Sequence, residues 1–133
     1  MGKKLFKARI DDMQSVYDFV HTYISSEANS SEVNKLDLAV EEIFVNIAHY
    51  AYLSDGGDVE VDCVTDEEGF LCVTFTDSGR AYDPLLREDP DITLSVEERA
   101  IGGLGIFLTK QFMDEVNYQY LDGKNVLKIR KRL

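Results

Sequence analysis

The stretch Ile101-Gly102-Gly103-Leu104-Gly105-Ile106-Phe107-Leu108 decides how the rest of the chain is read. Three glycines fall in four positions, inside a run that otherwise has the apolar spacing of a helix. A glycine in a helix costs about 1 kcal/mol relative to alanine. A chain carries that cost where something must come close to its backbone, and a phosphate at a helix N-terminus is one such guest. Tight helix packing after a glycine-ended loop is the other reading. Neither common phosphate loop fits. Leu108 stands where the third glycine of a dinucleotide fingerprint would fall, no strand precedes the segment, and no Gly-Lys-Ser/Thr follows it.

Upstream of the glycines, residues 78–100 show no clean periodicity, carry dense charge and hold both prolines, Pro84 and Pro90. So long an irregular loop in a compact domain is usually functional or mobile. Before it come two strand patterns, 59–65 and 70–77, joined by Asp66-Glu67-Glu68-Gly69. Their alternation places Val59, Val61 and Cys63 on one face with Leu71, Val73 and Phe75. Cys72 then joins Thr74 and Thr76 on the opposite face, which argues against a disulfide, and the spacing is not that of a metal site. Further back, 5–10 reads as a strand. Asp11 offers an N-cap with Gln14 completing a capping box. A first helix follows through Met13, Val16, Tyr17, Val20 and Ile24 to about Glu27. Ser30-Ser31-Glu32 opens a second, whose stripe is Val33, Leu36, Val40, Ile43, Ile47 and Ala51 and which stops near Asp55-Gly56-Gly57.

Downstream, the glycines open a helix through Leu104, Phe107, Leu108 and Phe112. Strands 115–121 and 125–130 pair across Asp122-Gly123-Lys124, a hairpin signal. The order is strand, helix, helix, strand, strand, loop, helix, strand, strand. It predicts a single α+β domain over 1–133: a two-layer sandwich, its sheet mixed but mainly antiparallel, with about three helices on one face.

A chain of 133 residues can bury one respectable core, and its 44% hydrophobic and 29% charged content is that of a soluble globular protein. No apolar run reaches membrane length, no h-region follows the first residues, and Phe6 stands where a myristoylation signal needs Ser or Thr. A cytoplasmic location is expected, with no membrane partner. The net charge of −11 argues against a nucleic-acid partner. A bound nucleotide would have to be held by local donors or a divalent cation against that field.

Two further groups of residues carry chemistry. In Glu41-Glu42-Ile43-Phe44-Val45-Asn46, Glu42 and Asn46 lie four apart and share a helix face, rotated away from the Val40/Ile43/Ile47 stripe. A carboxylate and an amide there can hold a hydrated Mg²⁺ or a water, and the carboxylate can take a proton. Taken alone, the pair also fits a solvated face. In Thr76-Asp77-Ser78-Gly79-Arg80-Ala81-Tyr82-Asp83-Pro84, Asp77 at a strand end can accept from an exocyclic amine such as that of adenine, and Gly79 lets the backbone turn beneath a flat ring. An ordinary Asp-Ser-Gly turn fits that stretch as well.

In this order and spacing the three groups resemble the GHKL ATPase superfamily with its Bergerat nucleotide-binding fold, over Leu36 to about Val116. Within it they resemble the anti-sigma factor serine kinases, through Gly102-Gly103-Leu104-Gly105 with Met113-Asp114-Glu115-Val116, and through Ala81-Tyr82-Asp83-Pro84. The resemblance implies ATP and Mg²⁺ as cofactors. It implies Glu42 as the general base facing a target serine, Asn46 as the Mg²⁺ ligand, and Asp77 reading the adenine amine with Gly79 beneath the ring and Ala81 in the same nucleotide site. Residues 83–101 would form the ATP lid, with Arg99 at its end reaching the γ-phosphate. Gly102, Gly103, Leu104 and Gly105 would bring backbone amides to the phosphates.

The implied activity is serine-protein kinase: transfer of the γ-phosphoryl to an anti-sigma factor antagonist of the STAS type, coupled to sequestration of a sigma factor. Homodimers are common in such a family. Relatives often carry a histidine one place beyond His49, a shift that turns the imidazole by about 100° on a helix, so no family role is carried over to His49. It is read as a partly buried helix residue, Lys110 as surface, and His21 is assigned nothing. The alternative reading is an ATP-gated binding module with little or no phosphotransfer. A detached histidine-kinase ATP domain would need a helical hairpin bearing a phosphoacceptor histidine, and nothing upstream of Leu36 resembles one. A purely structural domain is the remaining class.

Overall fold

The computed structural model describes residues 2–52, 56–86 and 104–133. Among these residues, five strands form one sheet: β1 (Gly2–Lys7), β2 (Asp58–Thr65), β3 (Leu71–Asp77), β4 (Glu115–Leu121) and β5 (Lys124–Lys131). Their order across the sheet is β1-β2-β3-β5-β4, and every pairing is antiparallel. The sheet is therefore not mixed, because each neighbour is reached by a hairpin or by a crossover that reverses direction. Three helices among the described residues accompany it: α1 (Met13–His21), α2 (Ser30–Asn46) and α3 (Leu104–Phe112).

Strand alternation puts Val59, Val61, Cys63, Leu71, Val73, Phe75, Leu127 and Ile129 into the core, against Leu36, Val40, Ile43 and Phe44 of α2. Cys63 sits opposite Val73, and Cys72 opposite Val64, so the two thiols point to different faces and both are free. The last hairpin turns at Asp122 and Gly123, both with positive φ (53° and 77°), as a two-residue turn of that twist demands.

Several boundaries differ from the pattern in the sequence. β1 ends at Lys7, and Ile10–Asp12 forms a 3₁₀ turn. The expected capping box at Asp11 and Gln14 does not form. Asp12 instead accepts from Lys7 N–H at 3.1 Å and Arg9 Nε at 3.1 Å, while Gln14 pairs with Asp18. The first helix stops at His21 rather than near Glu27; Thr22 Oγ1 turns back to Phe19 O at 2.7 Å. Asn29 caps α2 through its side-chain oxygen, accepting from Ser31 and Glu32 N–H. Among the residues of α3 whose burial is described, Ile106 and Thr109 are buried, with Met113 just beyond the helix, rather than Phe107, Leu108 and Phe112. Thr109 is tolerated there because its hydroxyl donates to Gly105 O at 2.8 Å. His21, without a partner in the sequence reading, meets Asp37 Oδ1 at 2.6 Å. Lys131 is buried and paired with Glu32, which pins the N-terminal end of α2 to the sheet.

The helix that carries Glu42 and Asn46 does not end regularly. Directly after Asn46, α2 loosens into a π-helical turn, Ile47–Ala51. Such turns break the helical phase and often mark functional sites. Tyr52, just past it, ties the end of this turn to the sheet: its hydroxyl donates to Asp58 O at 2.6 Å and accepts from Ser78 N–H at 2.9 Å.

Candidate functional site

The end of β3 and the C-terminal half of α2 face each other across a narrow cavity. Its apolar walls are Ile43, Ile47 and Ala51 on the α2 side, Leu127 on β5, and Tyr82 and Pro84 on the loop after β3. Three polar side chains enter it: Asn46, Asp77 and Asn125. Apolar plates with a few convergent hydrogen-bonding groups are the ordinary form of a site for a flat heterocycle.

Asp77 is buried at the last position of β3. Burial pushes its carboxyl above the usual carboxylate range, while hydrogen bonds from Asn125 and the Gly79 N–H pull it back down. Both donors use the same oxygen, Oδ1, at 2.9 Å each. An acceptor held this way suits an amine donor on a ligand. Gly79 is required for close backbone packing against the π turn. It is not among the residues lining the cavity; a Cβ there would run into the Ala51 carbonyl. Arg80 N–H donates to that carbonyl at 2.9 Å. Ala81 is exposed beyond it.

Asn125, which no sequence motif singles out, organises this end of the site. It is buried on β5, directly opposite Asp77 in the ladder. Its Nδ2 donates to Asp77 Oδ1 and, at 2.8 Å, to Arg80 O. Its Oδ1 accepts from Tyr82 N–H at 3.1 Å and from the Tyr118 hydroxyl. An asparagine inside a strand is unfavourable on propensity, and that is the one signal of its role in the sequence.

Asn46 has a buried Nδ2 with no partner among the described residues. An orphaned buried amide costs roughly 1–3 kcal/mol, so it points to a ligand group that completes it. Turned over, the same amide presents a carbonyl oxygen, so it can serve a phosphate as donor or a cation as acceptor. Among the described residues no group of three His, Cys, Asp or Glu side chains is arranged to hold a metal.

Glu42 lies one turn before Asn46, half-buried, and not on the solvated face that its spacing alone allowed. Its carboxylate fills the space where a Cβ of residue 105 would sit. Gly105 therefore lets α3 close over Glu42. Thus Asn46 on α2 and Asp77 on β3 enter one cavity, while Glu42, one turn before Asn46, packs against Gly105 of α3. Leu104 begins α3. Arg99, Gly102 and Gly103, with most of the lid, lie outside the described residues. His49 is exposed on the π turn rather than partly buried, edge-on to Tyr50 at 6.0 Å.

A five-stranded antiparallel sheet carrying α helices, with a cleft between α2 and the end of β3, is the architecture of histidine kinase-like ATPase domains. Residues 6–131 match the family described as "Histidine kinase-like ATPase domain". The serine-protein kinase RsbW of Listeria monocytogenes serotype 4a (strain HCC23) is 31% identical over 111 residues, 78% of this chain and 70% of that protein. The serine/threonine-protein kinase BtrW of Bordetella bronchiseptica is 28% identical over 92 residues, 69% of this chain and 65% of that one. The crystal structure of the RsbU and RsbW domains of Rv1364c from Mycobacterium tuberculosis superposes with a TM-score of 0.67 at 14% identity. It covers all of this chain, which spans 33% of that longer chain. The histidine kinase domain of the Erythrobacter litoralis EL346 blue-light activated kinase gives 0.64 at 15% identity, over 91% of this chain and 59% of that one. The chain belongs to the histidine kinase-like ATPase family, and within this GHKL-type family to the anti-sigma factor kinase-like proteins represented by RsbW.

Proposed function

We propose that this protein is an ATP-dependent serine-protein kinase acting on an anti-sigma factor antagonist of the STAS type, and that it sequesters a sigma factor once the antagonist is phosphorylated. The observation that supports the reading is the entry of Asn46 and Asp77 into one cavity, with Glu42 one turn before Asn46 on the same helix and packed against Gly105. Asp77 accepts the adenine amine, and Ile43, Ile47 and Leu127 enclose the ring. The Glu42 carboxylate receives the proton of the acceptor serine as its Oγ bonds to the γ-phosphorus and the bond to the ADP oxygen breaks. Phosphoryl transfer has a loose transition state, so orientation and charge neutralisation carry most of the catalysis. Mg²⁺ bound with ATP at Asn46 supplies part of that neutralisation. Arg99 and the amides at 102–105 supply the rest at the γ-phosphate. The site operates inside the cytoplasm, where ATP and Mg²⁺ are abundant, either as a monomer or in a homodimer.

The test is to mix the protein with a STAS-type acceptor and γ-labelled ATP. Label should pass to a serine, giving an acid-stable phosphate; an acid-labile one would mean histidine chemistry. Glu42→Gln should bind ATP with the wild-type affinity while transfer falls by at least roughly 100-fold, the lower range for loss of a general base. Undiminished transfer by Glu42→Gln refutes the base assignment. ATP binding with no transfer to any such acceptor points to an ATP-gated binding module instead.

A further inference from the structure

Tyr50 lies outside the cavity, 36% exposed on the π turn, and two contacts tie it to the cavity's outer wall. Its ring stacks on Tyr82, with centroids 5.6 Å apart and planes 21° apart. Its carbonyl accepts Arg80 Nε at 2.8 Å. From the inner side the same wall is held by Asn125, which accepts from Tyr82 N–H and donates to Arg80 O. Residues 80–82 are thus clamped from both sides. The inner clamp is buried and saturated with hydrogen bonds. The outer one is an aromatic ring in contact with water, the weaker of the two. With the wall held this way the cavity measures about 30 Å³. That is room for one or two waters and far too little for a purine. Of the wall residues, Tyr82 is the one that both lines the cavity and stacks on Tyr50, so widening the cavity at this wall for a purine works against the stack.

We propose that Tyr50 is a positioning residue for nucleotide entry: stacked on Tyr82, it holds the pocket wall inward, and the stack opens before the adenine ring is seated. The inference rests on the proposed ATP site. It explains why a half-exposed aromatic stands where helix-surface residues are usually polar, and it assigns the π turn a task, which is to aim that ring at Tyr82.

Stopped-flow association of ATP carrying a fluorescent label on its ribose tests the idea in the wild type, Tyr50→Phe, Tyr50→Leu and Tyr50→Ala. The Ala and Leu variants should bind roughly two- to tenfold faster, the range that loss of one stacked aromatic pair supports. Tyr50→Phe should keep the wild-type rate, because the ring and not the hydroxyl makes the contact. The Leu variant preserves bulk, so a rate change shared by Ala and Leu reports the stack rather than a packing defect. Unchanged or slower association in both overturns the proposal. A wild-type protein that binds no labelled ATP refutes the ATP site and this inference with it. Binding whose rate ignores Tyr50 refutes this inference alone.

Discussion

In the proposed site, Asp77 trades stability for recognition. An unfolded aspartate titrates at about 3.9. In the folded protein burial holds the carboxyl higher. Between the two values the native state binds more protons than the unfolded state, so stability falls as pH rises through that window. Above the folded pKa the whole penalty of an ionised, buried Asp77 is present. Asp77→Asn removes the charge and leaves an oxygen for Asn125 and Gly79 to bond. Its melting temperature should therefore be at or above wild type at neutral pH, with the difference vanishing as the pH is lowered toward the unfolded carboxylate's value. Its ATP affinity should fall by roughly tenfold or more, since a carboxylate accepts about twice as strongly as a neutral amide. Calorimetric melts across pH, with ATP titrations at neutral pH, check both. A variant less stable than wild type at every pH contradicts this account.

The elements meet at two glycines, and the two should respond differently to the same change. At Gly79 a methyl group would strike the Ala51 backbone carbonyl, which the π turn and Arg80 hold in place. Gly79→Ala should cost about 1–3 kcal/mol, the usual penalty of overpacking, and lower the melting temperature by several degrees. At Gly105 the atoms nearest the added methyl are those of the Glu42 carboxylate, the far end of a flexible side chain rather than backbone. Gly105→Ala should melt near or above wild type, since alanine favours the helix by about 1 kcal/mol. It should nevertheless lose phosphotransfer through displacement of Glu42. Equal loss of stability in both variants would overturn the distinction.

These two contacts also mark the limit of what the sequence discloses. The β2/β3 faces, the free cysteines, the start of α2 and the Asp122-Gly123 hairpin are legible in it, because alternation, capping and turn chemistry act over a few residues. The roles proposed for Glu42, Asn46 and Asp77 are reached only through their order and spacing along the chain. What stays hidden depends on partners distant in sequence. Asn125 is meaningful only opposite Asp77, Thr109 only as a buried hydroxyl bonded to its own helix, and the π turn only where α2 meets the loop after β3. The end of α1 at His21 is masked because Ile24 continues the apolar period after the helix has stopped.

At the scale of the whole molecule, charge opposes the proposed ligand. With a net charge of −11 the protein repels a nucleotide anion before any contact forms. Association with ATP should therefore quicken as salt is added, as the Debye length shrinks from about 30 Å at about 0.01 M to about 10 Å at about 0.1 M. Sites that steer their anions show the opposite. Rates measured at constant free Mg²⁺ while NaCl is varied check the sign, and a rate that declines with salt would show that local positive groups outweigh the overall field.

The place of β5 in the sheet has a consequence for biogenesis. Of the five strands among the described residues it comes latest in sequence, yet it inserts between β3 and β4 and brings Asn125 to Asp77, 48 positions away. On a ribosome adding about 5–20 residues per second, Asp77 waits several seconds after synthesis for the side chain that orients it. Throughout that interval β3 has a bare edge and the cleft has no floor. A nascent chain thus has β2 and β3 in hand well before β5, and the proposed nucleotide site is complete only after β5 has left the exit tunnel.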